Sequence, residues 1–224
     1  MVRRLVQPAG MGRGAAVDSR LIRRAAAGTG PVWRLFGALG PDWQSALEGL
    51  GGGRPDIHFA IGESSLGLFA VAVSPIGVCA ILFGDDRSTV IMDLHDLYPL
   101  ATPIYDWDER AFLLARIEAL IDNPSDGLDM PLDLRGRAFQ RRVWRELMTV
   151  PAGETITEQV LATRLGRRTA VRAVRAACAA NRIAVAIPCH RVVGDTPGRL
   201  GYRWGAGRQR TLLRREAVEA PPDG

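Results

Sequence analysis

Cys189 stands between Pro188 and His190 in Ile187-Pro188-Cys189-His190-Arg191-Val192-Val193, a set of residue types suited to nucleophilic chemistry. A thiol reacts as its thiolate, and a neighbouring imidazole or guanidinium favours that form. Free cysteine more often packs as a small apolar residue. That reading suffices for Cys79, on a predicted buried strand, and for Cys178, in an alanine-rich predicted helix. It does not account for a cysteine flanked by proline and histidine with arginine next in line. Adjacent side chains on a strand point to opposite faces, so Pro188 must turn the chain if Cys189 and His190 are to share a pocket. Otherwise a water must link them. Only 3 cysteines occur in 224 residues, none in a CxxC pair, which suggests neither a disulfide framework nor a zinc cluster. His58, His95 and His190 show no ligand spacing, and neither metal nor cofactor is expected.

The elements that must position this site lie in a strongly basic segment. Residues 135–224 hold 18 arginines against 7 acids, a net +11, whereas residues 55–134 hold 3 against 14, a net −11. The chain has no lysine; its basic side chains are all arginine. A basic segment attracts polyanions, and arginine–phosphate contacts supply the sequence-independent part of DNA binding. Phe139, Val143 and Leu147 recur every fourth residue beside Trp144 and Met148, which predicts a helix with one buried face. Thr155 to Leu165, a turn at Gly166, and Thr169 to Ala180 have helix-turn-helix spacing. The second of these helices carries Ala170, Val171, Arg172, Ala173 and Arg175, small residues that let a helix approach a groove and arginines that reach phosphate or enter the duplex. Upstream, His58 to Ile61, Leu66 to Val73 and Val78 to Phe83 predict an antiparallel meander, with helices over Ser88 to Tyr98 and Glu109 to Ile121. Residues 1–54 are rich in Gly, Ala and Arg and predict a flexible extension. No apolar run is long enough for a membrane span and no secretory h-region is present, so a cytoplasmic location is expected.

The Pro188-Cys189-His190-Arg191 core resembles the acceptor motif of the O6-alkylguanine-DNA alkyltransferases. The resemblance runs through Leu132-Asp133-Leu134-Arg135-Gly136, Phe139-Gln140, Val143-Trp144, Gly153-Glu154-Thr155, Ala170 to Val174, Ala179-Ala180-Asn181, Gly201 to Gly205 and Leu212 to Glu216. It is especially similar to the C-terminal methyltransferase half of bacterial Ada proteins and covers about residues 57–219. The fold it implies is α+β: a small RNase H-like subdomain (55–121), a linker (122–134) and a mainly helical, winged-helix-like DNA-binding transferase domain (135–219), with a tail over 220–224. The chemistry it implies is irreversible, single-turnover transfer of a methyl group from O6-methylguanine, and from O4-methylthymine, to Cys189 by a monomer acting on double-stranded DNA. His190 would take the thiol proton through a water and Glu216 would support the imidazolium. Tyr202 would assist protonation of the leaving guanine, and Asn181 would be the hinge beneath the recognition helix. Arg172 would fill the stack left by the flipped nucleotide, beside Ala170, Val171, Ala173, Arg175, Thr157 and Arg191 at the DNA. Pro188, Val192, Arg203, Trp204 and Gly205 would line the pocket.

Two residues depart from the family pattern. Glu158 stands where a tyrosine that handles the target phosphate is usual, and Arg175 stands at a helix position that is commonly small. A carboxylate at a phosphate site is expected to repel it. The rival readings are a non-catalytic module that binds alkylated bases and recruits other repair factors, and a thiol hydrolase that turns over repeatedly.

Overall fold

Three glycine-bounded runs of aliphatic residues form β1 (His58–Ser64), β2 (Gly67–Val73) and β3 (Val78–Gly84) in this computed structural model. The structure describes residues 57–105, 107–194 and 201–219; the extension over 1–54 and the tail over 220–224 lie outside the described residues. β1 and β3 each pair antiparallel with β2, as the meander predicts. β1 runs three residues beyond its predicted end because Ser64 pairs with Gly67 across a tight turn. A two-residue strand that the sequence does not announce, β4 (Thr102–Pro103), adds in parallel to β1 and completes the order β3-β2-β1-β4. β3 is buried at every position, and Phe69, Ile81 and Leu82 are core side chains.

Helices α1 (Arg87–Leu97) and α2 (Trp107–Asp122) follow the predicted positions. Asp86 caps α1 by accepting from the Thr89 amide at 2.8 Å, which supplies one of the donors that a helix start leaves unpaired. α2 sends Leu113, Ile117, Leu120 and Ile121 into the core. Residues 131–133 then return to the sheet: the Val78 amide donates to Pro131 O at 2.9 Å and the Asp133 amide to Val78 O at 2.9 Å. The chain passes Gly77 so closely that a side chain there would sit 2.2 Å from the Pro131 carbonyl oxygen, which reserves the position for glycine.

In the basic half, α3 (Ala138–Leu147) buries Val143, Trp144 and Leu147, the face read from its periodicity. The predicted helix over Thr155 to Leu165 is instead a short strand, β5 (Ile156–Thr157), followed by α4 (Glu158–Arg164). The Thr157 hydroxyl accepts from the Val160 amide, so it caps α4 and cannot also be helix interior. Gly166, at φ +70, turns the chain into α5 (Val171–Ala179). α5 buries Val174, Ala177 and Cys178, and the Trp144 indole N–H donates to Ala177 O at 2.8 Å. β6 (Val192–Val193) pairs in parallel with β5, and α6 (Ala206–Glu219) closes the described chain. The protein is thus a mixed α+β structure. No helix among the described residues is long and apolar enough to cross a membrane.

Two connections tie the sheet to the basic half. The Ile81 amide donates to Arg182 O at 2.8 Å and the Ala184 amide to Ile81 O at 3.0 Å, so the β3 edge anchors the segment that leads to Cys189. Arg208 and Arg215 of α6 reach back to the sheet side. Arg208 donates to Leu66 O at 2.9 Å and Gly84 O at 3.1 Å, and Arg215 to Ile121 O at 2.6 Å and Ser65 Oγ at 2.7 Å.

Candidate active site

Pro188 (φ −79°, ψ 56°) turns the chain into one turn of 3-10 helix, Cys189–Arg191, and both Cys189 and His190 are buried. The extended geometry that would have separated them is therefore absent. The approach to this turn is itself constrained: Val185 adopts φ +65, a conformation that a β-branched residue holds only when its surroundings impose it. Asn181, fully buried, fixes the turn. Its Oδ1 accepts from the Ile183 amide at 2.8 Å, and its Nδ2 donates to Ile187 O at 3.0 Å and to Cys189 Sγ at 3.3 Å. From the other side, Gln209 Nε2 donates to the carbonyls of His190 at 3.0 Å and Val192 at 3.1 Å.

Behind the cysteine lies a buried charged network. Glu216, with no exposed surface, meets His190 Nε2 at 2.7 Å and accepts from Arg191 Nη2 at 2.9 Å and Nε at 3.1 Å. Burial alone raises a carboxyl pKa, but the hydrogen bonds from His190 and Arg191 outweigh it and hold Glu216 down to about 2. Burial pushes His190 below its ordinary 6.5 in spite of Glu216, with Arg191 adding to the effect. An ionised Glu216 beside a neutral imidazole puts the proton on Nε2, and the lone pair is left on Nδ1. Nδ1 is buried and has no partner among the described residues. Burial first, and the adjacent Cys178 thiol second, raise the Cys189 pKa well above 9.0, against the Asn181 amide that lowers it. The resting site is thus a protonated thiol next to a neutral base.

Cys189 opens onto a cavity of about 220 Å³ lined by Arg175, Cys178, Ala179, Val192, Gly201, Tyr202, Arg203 and Trp204. Tyr202 stands edge-on to the His190 ring at 6.2 Å between centroids, and Trp204 edge-on to Tyr202 at 5.2 Å. The Tyr202 hydroxyl and the Trp204 indole N–H are both buried and without partners among the described residues. Buried polar groups are normally paired. Three buried polar groups without a hydrogen-bond partner among the described residues, from His190, Tyr202 and Trp204, lie on or beside this cavity.

The structure brings together Cys189, His190, Glu216, Asn181 and Tyr202, with Val192, Arg203 and Trp204 on the cavity wall. Arg172 and Ala173 are exposed on α5, with Val171 and Ala170 half-buried at its start. Several expectations need correction. Arg191, expected at the DNA, is buried and spent on Glu216 and the Val150 carbonyl. Pro188 lines a separate depression with Pro151 and Val150, not the Cys189 cavity. Gly205, exposed at φ +96, is not among the residues lining the Cys189 cavity. Glu158 presents no bare carboxylate to a phosphate: it is buried and bound by Arg175 at 2.6–3.0 Å. Cys178 is buried as read, yet it borders the reactive thiol, a placement that only the turn at 181–189 creates.

Comparison with known proteins decides the family. Residues 138–218 match the model of the 6-O-methylguanine DNA methyltransferase DNA-binding domain. The Escherichia coli bifunctional transcriptional activator/DNA repair enzyme Ada is 44% identical over 172 residues, 75% of this chain and 47% of Ada, so the chain spans about half of that relative. The methylated-DNA–protein-cysteine methyltransferase of Mycolicibacterium paratuberculosis is 37% identical over 150 residues, 66% of this chain and 91% of the relative. The chain belongs to the methylated-DNA–protein-cysteine methyltransferase family. The crystal structure of Mycobacterium tuberculosis OGT in complex with DNA superposes with a TM-score of 0.60 at 32% identity, over 73% of this chain and 95% of that one. For this methyltransferase-family chain, the matched residues 138–218 hold the whole described lining of the Cys189 cavity and Glu216 as well.

Proposed function

We propose that this methyltransferase-family protein repairs DNA by transferring the methyl group of O6-methylguanine, and of O4-methylthymine, irreversibly to Cys189. The observation that carries the proposal is the arrangement at the cavity floor: a buried thiol beside a histidine whose Nε2 is fixed on Glu216 and whose Nδ1 lone pair is unengaged. The O6 atom of a stacked guanine is out of reach of such a site, so the nucleotide must leave the duplex. The exposed face of α5 enters the minor groove, and Arg172 takes the place of the extruded base. His190 Nδ1 accepts the thiol proton through one water. The thiolate attacks the methyl carbon, the C–S bond forms as the C–O6 bond breaks, and Tyr202 donates its hydroxyl proton to a ring nitrogen of the departing guanine. The imidazolium proton returns to the tyrosine, so the proton lost by the thiol ends on the neutral base. A thioether is too poor a leaving group for the methyl to move on, and each chain acts once.

This reading extends to the architecture. Residues 55–121 form an RNase H-like subdomain, 122–134 a linker, and 135–219 a winged-helix-like transferase domain, which the β5–β6 pair beside α4 and α5 supports. The protein works as a monomer in the cytoplasm, associated with the nucleoid while bound to DNA. Intact-protein mass after incubation with excess O6-methylguanine DNA tests the proposal. One added methyl per chain, mapped to the Cys189 peptide and without turnover, is the expected result. Lesion-selective binding with no mass gain would point instead to a recognition module.

Trp204 sets the size of acceptable alkyl groups. It is 6% exposed, wedged edge-on between Tyr202 and Phe83, and lines the cavity. O6-benzylguanine is therefore expected to label the protein poorly, and Trp204→Gly to raise the labelling rate by about 10-fold or more, the worth of one modest steric term. Labelling kinetics with the benzyl compound check this, and fast labelling of the unmodified protein would remove Trp204 as the gate.

A further inference from the structure

Glu158 and Arg175 look like two unrelated departures in sequence, 17 residues apart, yet they form one unit. Arg175 Nε donates to both Glu158 oxygens, at 2.8 and 3.0 Å, and Nη2 to Oε2 at 2.6 Å. The Glu158 side chain is 5% exposed and the Arg175 side chain 48%. A buried carboxylate normally requires a partner, and here the partner is a guanidinium that has been brought out to the surface. Side-on binding fixes the plane of the guanidinium and occupies Nε and Nη2, while Nη1 has no acceptor among the described residues. Arg175 also lines the cavity that holds Cys189, and Arg172 and Ala176 are exposed on the same helix. An orienting carboxylate thus presents one pre-aimed pair of N–H donors at the mouth of the site.

We propose that Glu158 and Arg175 form a phosphate clamp: Glu158 is the positioning residue, and the Nη1 edge of Arg175 donates to a phosphodiester oxygen next to the extruded nucleotide. The clamp rests on the alkyl-transfer reading above. The ligand class follows from position. The cavity interior is aromatic and apolar around Tyr202, Trp204 and Val192, which suits a base, whereas the backbone of an extruded nucleotide must stay at the rim, where Arg175 is half exposed. Guanidinium donors match the phosphate oxygens. The pair carries no net charge, so it acts through orientation more than through long-range attraction.

The experiment measures the rate of methyl transfer from duplexes carrying one O6-methylguanine, with each flanking phosphate replaced in turn by a neutral methylphosphonate. For the natural protein one of the two replacements is expected to slow transfer by about 10- to 100-fold, the worth of a charge-assisted hydrogen bond. Arg175→Ala is expected to slow transfer from the unmodified duplex by a similar factor and to be indifferent to that methylphosphonate, with Arg175→Lys recovering part of the rate. Because Arg175→Ala strands a buried carboxylate, the Glu158→Gln/Arg175→Ala double variant is measured beside it and is expected to behave alike. A purely structural ion pair would leave the methylphosphonate effect intact in both variants, which overturns the clamp. Normal transfer by the natural protein with no effect at either phosphate also overturns the clamp and leaves the alkyl-transfer reading standing. No methyl uptake from the unmodified duplex overturns both.

Discussion

Glu216→Ala is expected to cost about 3–5 kcal/mol of folding stability and to bring methyl transfer close to zero, because one carboxylate serves two buried partners. Removing it leaves the Arg191 guanidinium uncompensated, with only the Val150 carbonyl as acceptor, and frees His190 Nε2 of the bond that sets its tautomer. Glu216→Gln keeps the shape and still loses the charge, so most of the penalty should persist. Chemical denaturation gives the stability, and the mass assay with lesion DNA gives the transfer. A Glu216→Ala protein as stable as the parent would show that the network is not closed to water. The same network makes the fold acid-sensitive. Glu216 is held at about 2 when folded, against an ordinary 4.5, so its stabilisation is complete above 4.5 and is lost as pH falls from there toward 2. His190 acts in the same direction at higher pH: its folded pKa lies below 6.5, so stability begins to drop as pH falls through 6.5, where the unfolded chain gains a proton that the folded one refuses. Stability measured from pH 7 to pH 3 should therefore decline throughout, with no recovery between the two ranges.

Much of the fold is legible in the amino-acid sequence, for identifiable reasons. The meander strands, α1, α2 and α3 announce themselves through unbroken local patterns, and Val143, Trp144 and Leu147 lie on the face that their spacing predicts. Cys189 and His190 belong to a motif whose residue types are hard to explain as packing, whereas Glu216 and Tyr202 are singled out only by the family resemblance. What stayed hidden depends on contacts distant in sequence. β4 is two residues long and takes its existence from β1. The helix from 155 is shortened by Thr157, which pairs with Val193 and caps α4 in one step. Arg191, Arg208 and Arg215 belong to the basic half that charge counting assigns to DNA, yet they spend their donors on Glu216, Leu66 O and Ile121 O. Net charge by segment says where arginines are, not which of them face solvent. Glu158 is the converse case: read alone it repels phosphate, and read with Arg175, 17 residues on, it holds a cation in place.

His190→Gln separates the base from the scaffold and should lower the transfer rate by about 10²–10⁴-fold, the usual worth of general-base catalysis, while lesion DNA still binds. Gln at this position can donate to Glu216 in place of Nε2–H, so the Arg191 ion pair survives and the stability change stays small. It offers no basic nitrogen to the thiol. The pH dependence then distinguishes loss of the base from misplacement of the cysteine. In the natural protein the base is already neutral at pH 7, since burial holds His190 below 6.5, so the rate should be level through the neutral range and fall only once pH drops below that depressed value. In the variant the thiolate must form without help, and burial and Cys178 hold that thiol well above 9.0, so the rate should keep rising with pH past 9. A level profile in His190→Gln would mean that another group takes the proton. The Tyr202 hydroxyl does not fill that role: burial pushes its pKa well above 10.0, so it stays protonated and has no free basic site to offer. A profile that changes from level to rising therefore assigns the proton to His190 Nδ1, the one basic nitrogen at the site that the fold leaves without a partner among the described residues.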